Sequence, residues 1–167
     1  MKILVEKGAH VLFLSSNQVF NGKHPMEKPD AARKPINEYG RQKAEVEMFI
    51  ETLPKACILR LTKVIYQDIP LLKNWLEKLS KGKFVFAFED MTLSPVKLNE
   101  VVIKIDNLVN DNAVGIFQLS GKEDLNYFNF AQKFAEKQGY PVELIKKGSW
   151  KDKLHFTPPK YTSLINL

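Results

Sequence analysis

The sequence holds one cysteine in 167 residues, so neither an internal disulfide nor a metal site built on paired cysteines is open to it. Cys57 stands in the apolar stretch Ala56-Cys57-Ile58-Leu59 and reads as a buried strand thiol rather than a nucleophile. Histidine is nearly as scarce. His10, His24 and His155 show none of the spacings by which histidines share a metal ion, and no metal centre is expected. No stretch approaches the roughly 20 apolar residues of a membrane-crossing helix, and the opening residues lack the pattern of a secretory signal. The expectation is a cytoplasmic protein with no membrane partner. The eight glycines are dispersed, with no two inside five positions of each other. A glycine-rich turn that lets backbone approach a pyrophosphate at a helix start is therefore missing.

The rest of the composition is ordinary for a folded domain, with 44% hydrophobic and 26% charged residues. The net charge is +6, but the lysines are scattered and form no block of five or six. This reads first as a solvated basic surface; the alternative functional reading is attraction to an anionic metabolite such as a nucleoside diphosphate. No nucleic-acid partner is expected, because neither a recognition motif nor an aromatic-basic cluster stands in the sequence.

Along the chain, helices and apolar runs alternate. Met1 to Gly8 reads as the tail of a helix, and His10 to Ser15 as a strand buried on both faces. Asn17 to Lys34, with Asn21-Gly22 and several prolines, reads as a long loop. Asn37 caps a helix that Pro54 ends. Ala56 to Leu61 is a second buried strand, followed by a helix near Pro70 to Lys81 and a strand over Lys83 to Phe88. Leu98 to Asn110 has helical spacing and Val114 to Leu119 is strand-like. Ser120-Gly121 makes a turn, and Asn126 to Gln138 forms an amphipathic helix stopped by Gly139. Val142 to Ile145 reads as a short strand, and an irregular tail begins at Thr157-Pro158-Pro159. The alternation predicts an α/β fold with a parallel sheet.

On the helix after Asn37, the positions Tyr39, Lys43, Val46, Ile50 and Leu53 follow three-and-four spacing, which predicts one core-facing stripe that begins with a phenol and an ammonium one turn apart. Chance alone supplies roughly 0.7 Tyr-x-x-x-Lys pairs in a chain with this many tyrosines and lysines, so the surroundings must carry the argument. Phe13-Leu14-Ser15-Ser16-Asn17-Gln18-Val19-Phe20-Asn21-Gly22, followed by Pro35-Ile36-Asn37-Glu38-Tyr39-Gly40-Arg41-Gln42-Lys43, resembles the dTDP-4-dehydrorhamnose reductase group of the extended short-chain dehydrogenases. That group has a Ser-Thr-Asp-Tyr-Val-Phe-Asp-Gly-like strand end and then a Pro-x-x-x-Tyr-Gly-x-x-Lys helix. Asn17 and Gln18 stand where the group has an acid and an aromatic residue. Ile58-Leu59-Arg60, Ser94-Pro95-Val96, Gly115 to Gly121 and the tail Thr157 to Leu164 match in order.

The resemblance implies a partial Rossmann-like fold, a doubly wound parallel sheet, with a C-terminal α/β substrate-binding portion. Residues 1–66 would carry the C-terminal part of the Rossmann-like domain, and 67–167 the substrate side. It further implies reduction of a 4-keto sugar nucleotide with NADP or NAD. Tyr39 would be the general acid, Lys43 would assist it and hold the nicotinamide ribose together with Tyr39, and Ser16 would donate to the developing oxyanion. Segments near Thr92 to Val96 and Lys160 to Ser163 would meet the sugar nucleotide. Without the glycine-rich half, cofactor binding by this chain alone is expected to be impaired, and the strand edge near His10 to Ser15 to be bare, favouring self-association or a covering partner. A non-catalytic regulatory or binding role on the same fold, as in the methionine adenosyltransferase β-subunit, stays open beside the enzymatic one.

Overall fold

The computed structural model describes every residue except Leu154 and His155, so the reading of His155 as no metal ligand lies outside the described residues. Helix α1 (Lys2–Glu6) leads into strand β1 (Val11–Ser16), and helix α2 (Glu38–Ile50) into β2 (Ala56–Leu61) and β3 (Lys63–Ile65). Helix α3 (Pro70–Ser80), β4 (Val85–Phe88), β5 (Thr92–Leu93) and β6 (Pro95–Lys97) follow, then α4 (Leu98–Asn110) and β7 (Gly115–Leu119). The last elements are β8 (Leu125–Asn126), α5 (Tyr127–Lys137) and β9 (Ile145–Gly148).

The main sheet has the order β1-β2-β7 with all strands parallel. Its middle strand shows why Ala56 to Leu61 is apolar without alternation. Ile58 faces the helices α1 and α2, in a cluster with Val5, Ile50, Leu53 and Ala56, while Cys57 and Leu59 face α4 and its Leu108. Both faces are covered, as a parallel sheet requires. The chain is thus an open, Rossmann-like α/β fold. Its third strand comes from residues 115–119, far beyond residue 66, so the sheet draws on both halves of the chain.

A second body of packing lies beyond it. The parallel pair β4–β9 packs one face against α3 and α5 around Leu72, Trp75, Val85, Ala131, Ala135 and Ile145, and Phe86 on its other face is exposed. The parallel pair β3–β6 and the antiparallel pair β5–β8 tie this lobe to the ends of the main sheet.

Four expectations need correction. Strand β1 is not buried on both faces: only Ser15 and Ser16 are buried, and Leu14 is 42% exposed. It is an edge strand, paired only with β2 among the described residues. The loop Asn17 to Lys34 contains a short 3-10 turn over Asn17–Val19, and its Val19 and Phe20 join the core with Leu164 of the tail. Helix α2 ends at Ile50, earlier than Pro54 requires, and Leu53 is buried from the turn that follows. Residues Val142–Leu144, set off by Pro141, form a 3-10 turn, and the strand begins only at Ile145, where it finds β4.

Helix α2 also presents a different face from the one expected. Its buried residues are Gly40, Ala44, Glu47 and Ile50, one position round from Tyr39 and Lys43. Gly40 explains the shift. A Cβ there would collide with the carbonyl oxygen of Gln18, so the helix start is pressed onto the end of β1. The Asn37 side chain accepts from the Gly40 N–H at 2.8 Å and donates from its Nδ2 to Gln18 Oε1 at 2.8 Å, fixing that approach.

Candidate active site

The carboxyl ends of β1 and β2 open into a cleft of about 580 Å³, within the usual range for a small-molecule site. Ser16, Asn17 and Gln18 from the end of β1 line it together with Asn37, Glu38 and Tyr39 from the start of α2. Thr62 and Lys63 after β2, Met91 to Leu93, Tyr127, Pro159 and Thr162 line it as well. A neighbouring cavity of about 660 Å³ shares Asn37, Phe156 and Pro159 with it, so the two openings adjoin. Ligands of open α/β sheets bind at such strand ends.

The structure brings two of the three expected site residues into this cleft and sets the third behind them. Tyr39 is 49% exposed, in the first turn of α2. Ser16 is nearly buried; its Oγ donates to Asn17 Oδ1 at 3.2 Å and accepts from the Gln18 N–H at 3.2 Å. Lys43 lies one turn beyond Tyr39. Its Nζ donates to the Leu14 carbonyl at 2.9 Å and sits 4.7 Å from the centre of the Phe13 ring and 5.6 Å from that of Tyr39. The edge position of β1 leaves the Leu14 carbonyl free for this bond. An ammonium has three donors, so two remain. The cost of a lysine on this helix face is thus met by a carbonyl and two ring faces.

The sequence reading missed two features. Tyr127, first residue of α5, also lines the cleft, and burial pushes its phenol above the ordinary value. It therefore stays a neutral hydrogen-bonding group at physiological pH. The second is a buried charge cluster. Glu47, fully buried, accepts from Arg60 Nε at 3.0 Å and Nη2 at 2.7 Å, and from Arg33 Nε at 2.6 Å. Arg60 also donates to the Pro29 carbonyl at 2.8 Å, and Arg33 pairs with Glu51 at 2.8 Å. Burial works against the Glu47 carboxylate, but the bonds from the guanidinium groups outweigh it and hold the carboxyl below its ordinary 4.5. The only early trace of this cluster is an arginine in an otherwise apolar central strand.

The tail is held equally firmly. Asp124 accepts from the backbone N–H groups of Thr162 and Ser163 at 2.7 and 3.0 Å and from both of their hydroxyls. Asn17 Nδ2 donates to the Thr162 carbonyl at 3.0 Å, so the residue beside Ser16 is tied to the tail. Of the segments expected to meet substrate, Thr92, Leu93 and Thr162 line the cleft, whereas Ser94 is buried against Ser120 and the Gly121 carbonyl. Thr92 Oγ1 donates to the Lys160 carbonyl at 2.9 Å, joining the two segments.

An open parallel sheet, helices on both faces and a lobe closing over the strand ends define a Rossmann-like α/β protein with a substrate-side extension. The chain belongs to the RmlD substrate binding domain family, which it matches over residues 2–161. Its fold is similar to that of a dTDP-4-dehydrorhamnose reductase from Bacillus anthracis solved with NADP, with a TM-score of 0.87 and 22% identity over 96% of this chain and 58% of that one. Methionine adenosyltransferase 2 subunit beta from Xenopus laevis is 25% identical, over 87% of this chain and 47% of its own length. A probable low-salt glycan biosynthesis reductase from Haloferax volcanii is 28% identical, over 71% and 42%. The chain spans about half the length of these curated relatives.

Proposed function

We propose that this chain is the catalytic and substrate-side portion of an NAD(P)-dependent reductase that acts on a 4-keto sugar carried by a nucleoside diphosphate. The observation that carries the reading is the cleft shared by Ser16 and Tyr39, with the Lys43 ammonium one helical turn behind the phenol. In carbonyl reduction the nicotinamide supplies the hydride, and the protein must supply a proton and hold the oxygen. Tyr39, open to the cleft, gives the proton to the substrate oxygen. Lys43, fixed by the Leu14 carbonyl, sets the charge beside that phenol and turns its remaining donors toward the ribose hydroxyls. Ser16 gives up its bond to Asn17 and donates to the oxygen as negative charge builds there. Lys63 is placed at the cleft to meet the diphosphate, and Tyr127 to bond a sugar hydroxyl. The reading also places the protein in the cytoplasm; among the described residues no helix is long and apolar enough to cross a membrane.

The residues fit the nicotinamide-ribose end of the cofactor: an exposed phenol and a lysine with two spare donors stand beside a bare strand edge. They do not supply the adenosine and pyrophosphate end, for want of clustered glycines. We therefore assign that part to polypeptide outside these residues. Joined in one chain to a glycine-rich Rossmann half, the protein should consume NADPH or NADH when given dTDP-4-dehydrorhamnose, and the 167-residue chain alone should not. If the joined protein binds the sugar nucleotide saturably but never turns it over, the role is binding, not catalysis. Failure to bind it at all sinks the proposal.

The bare edge has its own consequence. Leu14 on β1, Ile3 and Leu4 on α1, and Met48 and Phe49 on α2 are all exposed apolar side chains. Unpaired strand edges and apolar helix faces recruit neighbours. Light scattering behind size-exclusion chromatography should show the chain as a dimer or larger, and a monomer with a cooperative thermal transition would contradict this.

A further inference from the structure

A second cavity, of about 560 Å³, lies away from the cleft between α3, α5 and the β3–β6 pair. Ile65, Leu72, Leu76, Phe130 and Phe134 make it mainly apolar, and Lys97, Lys133 and Lys137 stand around it. Lys133 is shared with Glu123 at 3.2 Å, with both side chains well exposed, while Lys97 and Lys137 have no carboxylate partner among the described residues. No acidic residue lines the cavity. It is separate from the cleft yet built on the same elements. Lys63 of β3 lines the cleft and Ile65 the second cavity; likewise Tyr127 of α5 lines the cleft and Phe130 the second cavity.

We propose that this cavity binds an organic monocarboxylate with an unbranched apolar tail, the tail lying along Leu72, Leu76 and the two phenylalanine rings and the carboxylate among the lysines. An apolar cavity of this size with a few convergent polar groups has the character of a small-molecule site. The charge admits an anion and repels a cation. The lining holds no arginine, whose planar fork matches the paired oxygens of a phosphate, and apolar side chains outnumber charged ones. A tailed carboxylate fits both facts. A nucleotide, with more charge and less apolar length, fits neither.

Trp75 supplies a reporter. Its ring packs at 6.0 Å from Phe130 and 5.9 Å from Phe134, centre to centre, and both phenylalanines line the cavity. With Trp150→Phe removing the only other tryptophan, Trp75 emission in the full chain should change saturably on titration with decanoate and not with decylamine, which has the same tail and the opposite charge. The double variant Lys97→Glu/Lys137→Glu should weaken decanoate binding by about tenfold or more at an unchanged melting temperature. Equal binding of decanoate and decylamine, no emission response, or an unaltered decanoate affinity in the double variant would each overturn the assignment. If the double variant fails to fold, the comparison of the two probes on the chain with native lysines decides alone.

Discussion

Glu47→Leu should lower the unfolding free energy by about 3–5 kcal/mol, as measured by urea denaturation, the larger of the two stability effects tested by one double-mutant cycle. Arg60 is 1% exposed, and its Nε and Nη2 both bond the Glu47 carboxylate. With that carboxylate gone, a guanidinium is left in the core with the Pro29 carbonyl and a long contact to Gln118 Oε1 as its neutral partners. An unpaired charge so placed costs far more than the pair contributes when intact. The companion variant Glu47→Leu/Arg60→Met should recover most of the loss, because two apolar side chains replace two charges in a closed space and Arg33 keeps Glu51. A double variant no more stable than Glu47→Leu would show that the core needs the ions themselves. The same carboxylate gives a pH signature. Its folded-state value lies below the ordinary 4.5, so its contribution is complete at neutral pH and is lost as the pH falls from about 4.5 through the folded value. The acid limb of the stability profile should therefore be flatter in the double variant than in the native sequence.

This cluster also marks where reading the sequence stops short. The α/β alternation, the Asn37 cap, the helix at Leu98–Asn110 and the central strand were legible because each rests on local chemistry: a side-chain acceptor, a periodic stripe, an unbroken apolar run. The burial of Glu47 was not. Three-and-four spacing fits the stripe through Tyr39 as well as the one through Gly40; Ile50 belongs to both, and the apolar Val46 in place of Glu47 favours the former. What decides between them is Gly40 against the Gln18 carbonyl, a contact between segments 22 residues apart that no periodicity encodes. The half-exposure of β1 is of the same kind. His10 to Ser15 is apolar enough for a covered strand, and only the order of the sheet shows that it lies at an edge. Among the proposed site residues, Ser16, Tyr39 and Lys43 could be named because their spacing sits inside two characteristic segments. Tyr127 could not, because 88 residues separate it from Tyr39 and only the β5–β8 pairing carries it to the cleft.

Tyr39→Phe, made in the chain joined to a glycine-rich Rossmann half, should lower kcat for sugar-nucleotide reduction by roughly 10²–10⁴ and leave the Kd for the substrate nearly unchanged. The phenylalanine keeps the ring beside the Lys43 ammonium and removes one oxygen from a position that is 49% exposed, so little stability is at stake. What goes, on the proposed mechanism, is the proton donor. Lys43 cannot replace it readily, since its ammonium is held by the Leu14 carbonyl on the strand side of the ring. The Ser16 hydroxyl is engaged by Asn17 and Gln18 and donates a hydrogen bond without a base to refill it. The informative comparison is with Tyr127→Phe, which removes the same atom from another residue lining the cleft. If Tyr127 only bonds the sugar, its loss raises KM and spares kcat, whereas loss of Tyr39 does the reverse. Matching effects in the two variants would mean that neither phenol is the acid. Near-normal turnover in Tyr39→Phe would take the proton transfer away from α2 altogether, and with it the assignment of this cleft to carbonyl reduction.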